Sequence, residues 1–230
     1  MLKVKWIGQN GYILADGKNT ICIDPYLSDV VNRVANRPRM VEAPFKPEEL
    51  QCDAVICTHN HIDHVDIDAI PLMDKRMLFL APSDAEQTLQ ACGVKKYKAF
   101  DEGSTVALGD FELSAVFADH SAPAIGVVVK HSGVTMYFTG DTEYHEKLEE
   151  LKEYDIDIMF ICINGKLGNM NVEDAIKLTK EIHPKVGVPT HYGMFESNTE
   201  NPKNYTSKLD CGFEMEYNRE YAISEVLGDV

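Results

Sequence analysis

One ten-residue run limits what this chain can fold into more than any other feature of the sequence. Residues 57–66, CTHNHIDHVD, contain three histidines and two aspartates directly after a short apolar stretch that predicts a buried strand. If the backbone stays extended, alternate side chains share a side, so His59, His61 and Asp63 point together and His64 points away. Imidazole and carboxylate are ligands for Zn, Mn and Fe, and this placement suits two neighbouring ions better than one.

The same order of residues recurs at four other strand-like stretches: an apolar run, then a small residue or a turn, then His or Asp. Residues beyond strand ends line the crevices in which ligands bind, so we expect these side chains to lie near the first run. The further candidates are Asp24, His120, Asp141 and His191. Asp24 suits a different role, that of a hydrogen-bond acceptor which orients a ligand histidine.

The composition narrows the class of partner. With 22 Lys and Arg against 37 Asp and Glu, the formal charge of −15 argues against a nucleic-acid surface, which needs clustered cations. No stretch approaches the ~20 apolar residues of a membrane span, and the N-terminus lacks the apolar core of a signal peptide. The six cysteines are scattered without a C-x-x-C pair, which is typical of a reduced protein. We therefore expect a cytoplasmic protein that acts on a small molecule, without nucleic acid or membrane.

The distribution of strand and helix patterns predicts the fold class. Apolar or alternating stretches dominate the first half of the chain, and strands alternate with helices in the second. One helix is expected over residues 83–92, with Ser83 and Glu86 at capping-box spacing, and another over residues 172–182, with Asn171 as its N-cap. Two mixed β-sheets packed face to face, with helices outside, satisfy this pattern as a single α/β domain over residues 1–230.

The run H-x-H-x-D-H resembles the defining motif of the metallo-β-lactamase superfamily. A later His, an Asp in a Gly-Asp turn and a final His after a strand follow in that superfamily's order, from WIGQNGYIL to PTHYGMF. The resemblance implies a four-layer αββα sandwich with two divalent metal ions, Mn or Zn, with Fe as a third candidate. It implies that three histidines hold one ion: His59, His61 and His120. An aspartate and two histidines would hold the other: Asp63, His64 and His191. Asp141 would bridge the two ions.

The resemblance also implies the reaction, which is hydrolysis by a hydroxide held between the two ions, with Asp63 and Asp141 orienting it. The segments WIGQNGYIL, IDPYLS, GDTEYH and PTHYGMF look like the small bacterial branch that includes L-ascorbate-6-phosphate lactonase. A lactone or ester is therefore the expected substrate, with a phosphorylated sugar lactone such as L-ascorbate 6-phosphate as the specific candidate. A phosphodiesterase or phospholipase-type hydrolase, and a metal-binding regulatory protein without turnover, stay open as alternatives. A homo-oligomer is open as well.

Two regions are candidates for substrate contact. The segment over residues 28–47 carries Arg37 and Arg39 in an otherwise acidic chain, and a planar guanidinium suits an anionic group of the substrate. The alternative for this segment is a solvated lid. Tyr144 and His145 follow the expected bridging aspartate closely, so they are candidates for substrate contact, with helix packing as the alternative.

Overall fold

The computed structural model describes residues 1–228, which form two β-sheets with helices packed against them. The strands are β1 Lys3–Gly8, β2 Gly11–Ala15, β3 Thr20–Ile23, β4 Ala54–Ile56, β5 Leu78–Ala81, β6 Lys96–Ala99, β7 Thr105–Leu108, β8 Phe111–Phe117, β9 Ile125–His131, β10 Val134–Phe138, β11 Ile158–Cys162, β12 Val186–Thr190 and β13 Glu220–Ala222. The seven-stranded sheet has the order β13-β1-β2-β3-β4-β5-β6, and the six-stranded sheet has the order β12-β11-β10-β9-β8-β7.

Both sheets are mixed, as predicted. Strands β3 to β6 pair in parallel, and so do β10, β11 and β12. The remaining pairs are antiparallel. Parallel strands end on the same side of a sheet. The segments that follow β3 and β4 therefore lie together at one end of the seven-stranded sheet, and those that follow β10, β11 and β12 lie together at one end of the six-stranded sheet. The candidate ligands of the sequence lie in these segments and in the one that follows β8.

The central strands of the seven-stranded sheet are buried on both faces. On β3 and β4, Ile21, Ile23 and Ile56 face a core shared with the six-stranded sheet, whereas Cys22 and Val55 face a second core on the outside. A strand buried on both faces reads as a continuous apolar run rather than an alternating one, which explains the stretches TICI and AVI. Helices and loops close the outer core.

The α-helices are short except for one. They are α1 Val30–Ala35, α2 Glu86–Ala91, α3 Val172–Ile182, α4 Lys203–Thr206 and α5 Ile223–Leu227. The 3₁₀ segments are Pro47–Glu49, Ile70–Leu72, Ser83–Ala85 and Glu146–Tyr154. In the described part of the chain, no helix combines the length and the apolar character that a membrane span requires.

The helix predicted over residues 172–182 is confirmed with both bounds. The side chain of Asn171 accepts a hydrogen bond from the backbone N–H of Asp174, as an N-cap does. The helix predicted over residues 83–92 begins with a 3₁₀ turn, and its capping-box prediction is wrong. The Ser83 hydroxyl donates to the carboxylate of Asp101 (2.6 Å), a partner 18 positions along the chain that competes with the local cap.

The segment over residues 28–47 is anchored by a buried carboxylate. Asp66, the last residue of the motif run, accepts hydrogen bonds from the backbone N–H groups of Leu27 (2.9 Å) and Ser28 (2.8 Å) and from the Ser28 hydroxyl (2.6 Å). It also accepts from the N–H groups of Asp68 and Ala69 within its own segment. A single side chain therefore fixes the start of this segment beside the strand end that carries His59 and His64.

Asp66→Ala tests this anchor. The substitution leaves several buried N–H donors without an acceptor, and each such loss costs ~1–3 kcal/mol, so we expect the free energy of unfolding to fall by about 3 kcal/mol or more. Urea denaturation followed by circular dichroism measures it. Asp68→Ala, which removes only the exposed ion pair with Arg33, is the matched control and should change stability far less. Equal losses in the two variants would contradict the anchoring role.

Candidate metal centre

The candidate site lies where the carboxyl ends of strands from both sheets meet. The backbone joins the sheets directly here, because the N–H of Ile125 at the start of β9 donates to the carbonyl of Thr58 after β4 (3.0 Å). His59 also forms an isolated β-bridge with Ala124. The glycine before Asp141 is needed at this junction: Gly140 has φ 59°, and a Cβ there would lie 3.0 Å from the carbonyl oxygen of Ile125.

Three imidazoles converge on the first half of the site. The Nδ1 atom of His61 lies 2.9 Å from Nε2 of His59 and 3.2 Å from Nε2 of His120. The other ring nitrogen of His120 donates to the carbonyl of Gly168 (2.8 Å), which leaves its Nε2 atom as a lone-pair donor toward the centre. Three imidazole nitrogens this close together cannot all be satisfied by hydrogen bonds to one another. They fit a cation that accepts their lone pairs.

The second half of the site combines two imidazoles with carboxylates. Asp63, His64 and His191 can each offer a ligand atom within 4.8 Å of the others. His64 is fully buried, and its Nε2 atom has no hydrogen-bond partner in the structure. A buried polar atom without a partner is costly, so the donor set here also fits a metal ion.

Asp141 lies between the two halves. Its Oδ1 atom is 3.2 Å from Nε2 of His191 and 3.4 Å from Nε2 of His64, on the side of the second group. Its Oδ2 atom is 3.9 Å from Nε2 of His120, on the side of the three histidines. One carboxylate oxygen therefore faces each half of the site.

Burial and neighbouring charges set the protonation of these groups. Burial, together with the nearby imidazoles, lowers the pKa of His59 and His61, so both stay neutral and able to ligate at neutral pH. Burial also acts to lower the pKa of His64, but the carboxylates of Asp24, Asp141 and Asp63 outweigh it and raise that pKa well above its usual value. These carboxylates favour a positive charge beside them. A proton on His64 supplies it, and a bound metal ion would supply it as well.

Asp24 makes the hydrogen bond to a predicted ligand histidine that its expected orienting role requires. It is fully buried after β3, and its Oδ2 atom accepts from Nδ1 of His64 (2.8 Å) and from the hydroxyl of Thr58 (2.7 Å). Its other oxygen accepts from the backbone N–H of Thr58 (2.7 Å). These bonds hold His64 with Nε2 turned toward Asp63 and Asp141.

Three carboxamide side chains at the site were missed by the sequence reasoning. Nε2 of Gln9 donates to Oδ2 of Asp63 (2.9 Å), while Nδ2 of Asn10 and Nδ2 of Asn169 donate to the two oxygens of Asp141 (2.6 and 3.0 Å). All three amides are buried, and their carbonyl oxygens have no partner in the structure. For Gln9 and Asn10 the available signal was the sequence GQNG, which places two polar residues between two glycines where β1 turns into β2.

The turn that carries Gln9 is backbone-strained and firmly held. Gln9 has φ 49°, and its carbonyl accepts from the indole N–H of Trp6 (2.9 Å), the hydroxyl of Thr190 (2.6 Å) and the N–H of His191 (3.2 Å). His191 itself has φ 61°. Left-handed residues other than glycine persist where the surroundings over-determine them, which is frequent at functional sites.

The two predicted arginines lie on the segment over residues 28–47, but Arg39 already has partners. Its guanidinium donates to the carbonyls of Val41 (3.1 Å), Tyr26 (2.9 Å) and Ser28 (2.9 Å) and stacks over the ring of Tyr26. These contacts stabilise the segment itself. Arg37 is partly exposed. Substrate contact by either residue stays a prediction.

Tyr144 and His145 lie at the start of the segment Glu146–Tyr154. His145 caps this segment, since its Nδ1 atom accepts from the backbone N–H of Lys147 (3.0 Å), and its ring packs against Phe117. Tyr144 donates to Glu149, and the ammonium of Lys177 lies 3.9 Å from the centre of its ring. These are the packing contacts of the alternative interpretation, and substrate contact stays a prediction.

Known proteins of similar sequence are named metal-dependent hydrolases. A UPF0173 metal-dependent hydrolase of Archaeoglobus fulgidus is 28% identical over 232 residues, with 94% of each chain covered. A UPF0173 metal-dependent hydrolase of Thermus thermophilus is 29% identical over 204 residues, with 85% of each chain covered.

Solved structures show the same fold. Igni18, a metallo hydrolase of Ignicoccus hospitalis, superposes with a TM-score of 0.77 at 20% identity, covering 96% of this chain and 97% of its own. An isothiocyanate hydrolase from Delia radicum gut bacteria superposes with a TM-score of 0.80 at 20% identity, covering 96% and 98%. The family described as Beta-lactamase superfamily domain matches residues 19–192, a span that includes every predicted metal ligand. The chain therefore belongs to the beta-lactamase superfamily.

Proposed function

We propose that this protein is a metal-dependent hydrolase that binds two divalent ions and cleaves a lactone or ester. The observation that carries the proposal is the position of Asp141, which turns one oxygen toward His64 and His191 and the other toward His120. A carboxylate placed in this way can bridge two ions. The names of the relatives support the coarser part of the proposal, a metal-dependent hydrolase.

The donor set also indicates which ions suit the site. Imidazoles and carboxylates bind Zn, Mn and Fe, and no thiolate contributes, because the group of ligand atoms contains no cysteine. Such ions, held by these imidazoles and carboxylates, would lower the pKa of a water from 15.7 to about 7 and so supply a hydroxide at neutral pH.

The side chains around the ions would orient the reactants. Asp63 and Asp141 each receive an amide hydrogen bond, from Gln9 and Asn10 respectively, so neither carboxylate is free to rotate. A fixed carboxylate can accept a hydrogen bond from the attacking water and hold it in line with the scissile carbonyl. Since Asp141 is buried, this orientation takes place largely out of bulk water.

Within this reaction class, a phosphorylated sugar lactone such as L-ascorbate 6-phosphate is the specific candidate carried by the sequence resemblance. An anionic substrate needs a cation near the site, and Arg37 and Arg39 are the candidates on the flanking segment. Nε and Nη1 of Arg39 bond to three carbonyls, but its Nη2 atom has no partner within residues 1–228. A phosphodiesterase activity would need similar cations. A regulatory protein without turnover would keep the ions and hydrolyse none of these substrates.

Asp141→Ala tests the bridge. The metal-loaded wild-type protein should contain about two ions per chain, and the variant at most one, because two dications at short range repel strongly without a shared carboxylate. Metal content after gel filtration is read by mass spectrometry. Asp210→Ala, at an exposed aspartate, is the control and should keep both ions. Two ions in Asp141→Ala would rule out the bridging role.

Asp24→Asn tests the orienting bond to His64. The substitution keeps the size of the side chain but removes its charge and replaces one of two acceptor oxygens by an NH2 donor, so His64 and Thr58 compete for the one oxygen that remains. Weakening such a partner typically costs about 10- to 100-fold in metal affinity. Competition with a fluorescent chelator measures the affinity, and the melting temperature checks the fold. An affinity within twofold of wild type would mean that Asp24 serves the fold alone.

A substrate panel tests the reaction. We expect hydrolysis of lactones or 4-nitrophenyl esters that disappears with a chelator and returns with Mn or Zn, because the ions supply the nucleophile. A phosphorylated lactone and bis(4-nitrophenyl) phosphate belong in the panel, to separate lactonase from phosphodiesterase activity. Hydrolysis that survives full metal removal would contradict the proposed mechanism. Metal binding without any turnover would favour the regulatory alternative.

A further inference from the structure

Leu167 is an unusual residue on the loop between β11 and α3. Its side chain is 59% exposed, and its backbone has φ 58°. Within residues 1–228, the other non-glycine residues with positive φ all have polar side chains: Gln9, Asp24, Asn36, Ser132, Asp155, His183, His191 and Asn218. Leu167 alone combines the left-handed backbone with an apolar side chain.

This loop lies at the edge of the candidate metal centre. The carbonyl of Gly168, the next residue, accepts from Nδ1 of His120 (2.8 Å), and Asn169 donates to Asp141 (3.0 Å). Backbone bonds between Gly165 and Met170 (2.9 Å) and between Met170 and Thr142 (2.8 Å) hold the loop in this place. Leu167 is therefore an exposed residue one position from a contact with a predicted ligand.

Leucine is an unfavourable residue for the backbone conformation at this position. A bulky residue in the left-handed region is strained, whereas glycine or asparagine adopts it readily. The same loop uses glycine at its two other left-handed positions, Gly165 (φ 67°) and Gly168 (φ 84°). Burial does not offset the strain, because the side chain is mostly in solvent. An uncompensated strain of this kind indicates a function for the side chain.

A second group of exposed apolar side chains lies on another flank of the site. Val34 and Met40 are 56% and 55% exposed, on the segment that Asp66 anchors next to His64. The N–H of Met40 also bonds to the carbonyl of Met194, three residues beyond His191. The five large apolar residues exposed among residues 1–228 thus include three on segments that flank the candidate centre.

We infer that Leu167 contacts an apolar substituent of the substrate, so that the preferred ester or lactone carries an alkyl chain beside the scissile bond. This inference rests on the proposed function and narrows its substrate class to alkyl esters or lactones, in place of the phosphorylated sugar lactone. The occupant is part of the substrate because the residue after Leu167, Gly168, bonds directly to the predicted ligand His120, which puts Leu167 at the rim of the candidate centre. Leu167 then determines specificity and takes no part in the chemistry.

Leu167→Asn separates this role from a structural one, because asparagine removes the apolar contact and also relieves the backbone strain. The melting temperature should rise by ~2–4 °C, while kcat/KM for 4-nitrophenyl octanoate should fall roughly tenfold. The value for 4-nitrophenyl acetate should stay within twofold. The matched control is Leu72→Asn, at a leucine of similar exposure (53%) that lies on neither flanking segment. It should leave kcat/KM unchanged for both esters.

A binding measurement keeps this test separate from that of the proposed function. Titration calorimetry with octanoate and acetate, which carry the same charge, should show tighter binding of octanoate to the metal-loaded wild-type protein. Leu167→Asn should lose that difference, and Leu72→Asn should keep it. No hydrolysis of any lactone or ester of the substrate panel by the wild type would refute the proposed function, whereas octanoate binding would still decide the role of Leu167. An unchanged chain-length preference in Leu167→Asn, or no gain in its melting temperature, would overturn the inference.

Discussion

A buried carboxylate has to be paired, and the pairing of three of them organises one end of this molecule. Asp66 accepts five hydrogen bonds and ties the segment over residues 28–47 to the motif run. Asp24 accepts from Thr58 and His64 and joins β3 to the strand end beside it. Asp141 receives two amides and faces imidazoles on both sides. Each carboxylate draws its partners from different parts of the chain, so satisfying the charges also assembles the site.

Much of this arrangement could be predicted from the sequence, because it follows local patterns. Continuous apolar runs of three to five residues predict strands buried on both faces, and a polar residue after such a run lies at the edge of the sheet. The α/β fold, the closeness of the candidate ligands and the role of Asp24 all follow from this rule. Helix α3 was predictable for the same reason, since Asn171 and the residues after it carry a complete local capping signal.

The remainder depends on contacts between distant residues, which local patterns do not contain. Gln9 and Asp63 are 54 positions apart, and Asn10 and Asp141 are 131 apart, so no spacing announces either bond. The capping box predicted at Ser83 is absent for the same reason, because the Ser83 hydroxyl bonds to the distant Asp101 instead. The sequence likewise contains no sign of the three carbonyls that accept hydrogen bonds from Arg39, on Tyr26, Ser28 and Val41. The helix α1 in the segment over residues 28–47 was not predicted, because it has only six residues and its N-cap residue, Asp29, makes no side-chain capping bond.

The junction between the sheets has a consequence for the lifetime of the protein. The predicted ligands extend from His59 to His191 and come from both sheets, so the complete set exists only in the folded chain. An ion that binds this set and not the unfolded chain acts as a removable cross-link, and each tenfold rise in free ion above the dissociation constant adds ~1.4 kcal/mol of stability. Metal supply would then govern how often the chain unfolds and how fast proteases degrade it. Under this linkage, the abundance of the protein in a cell would follow the availability of its ion.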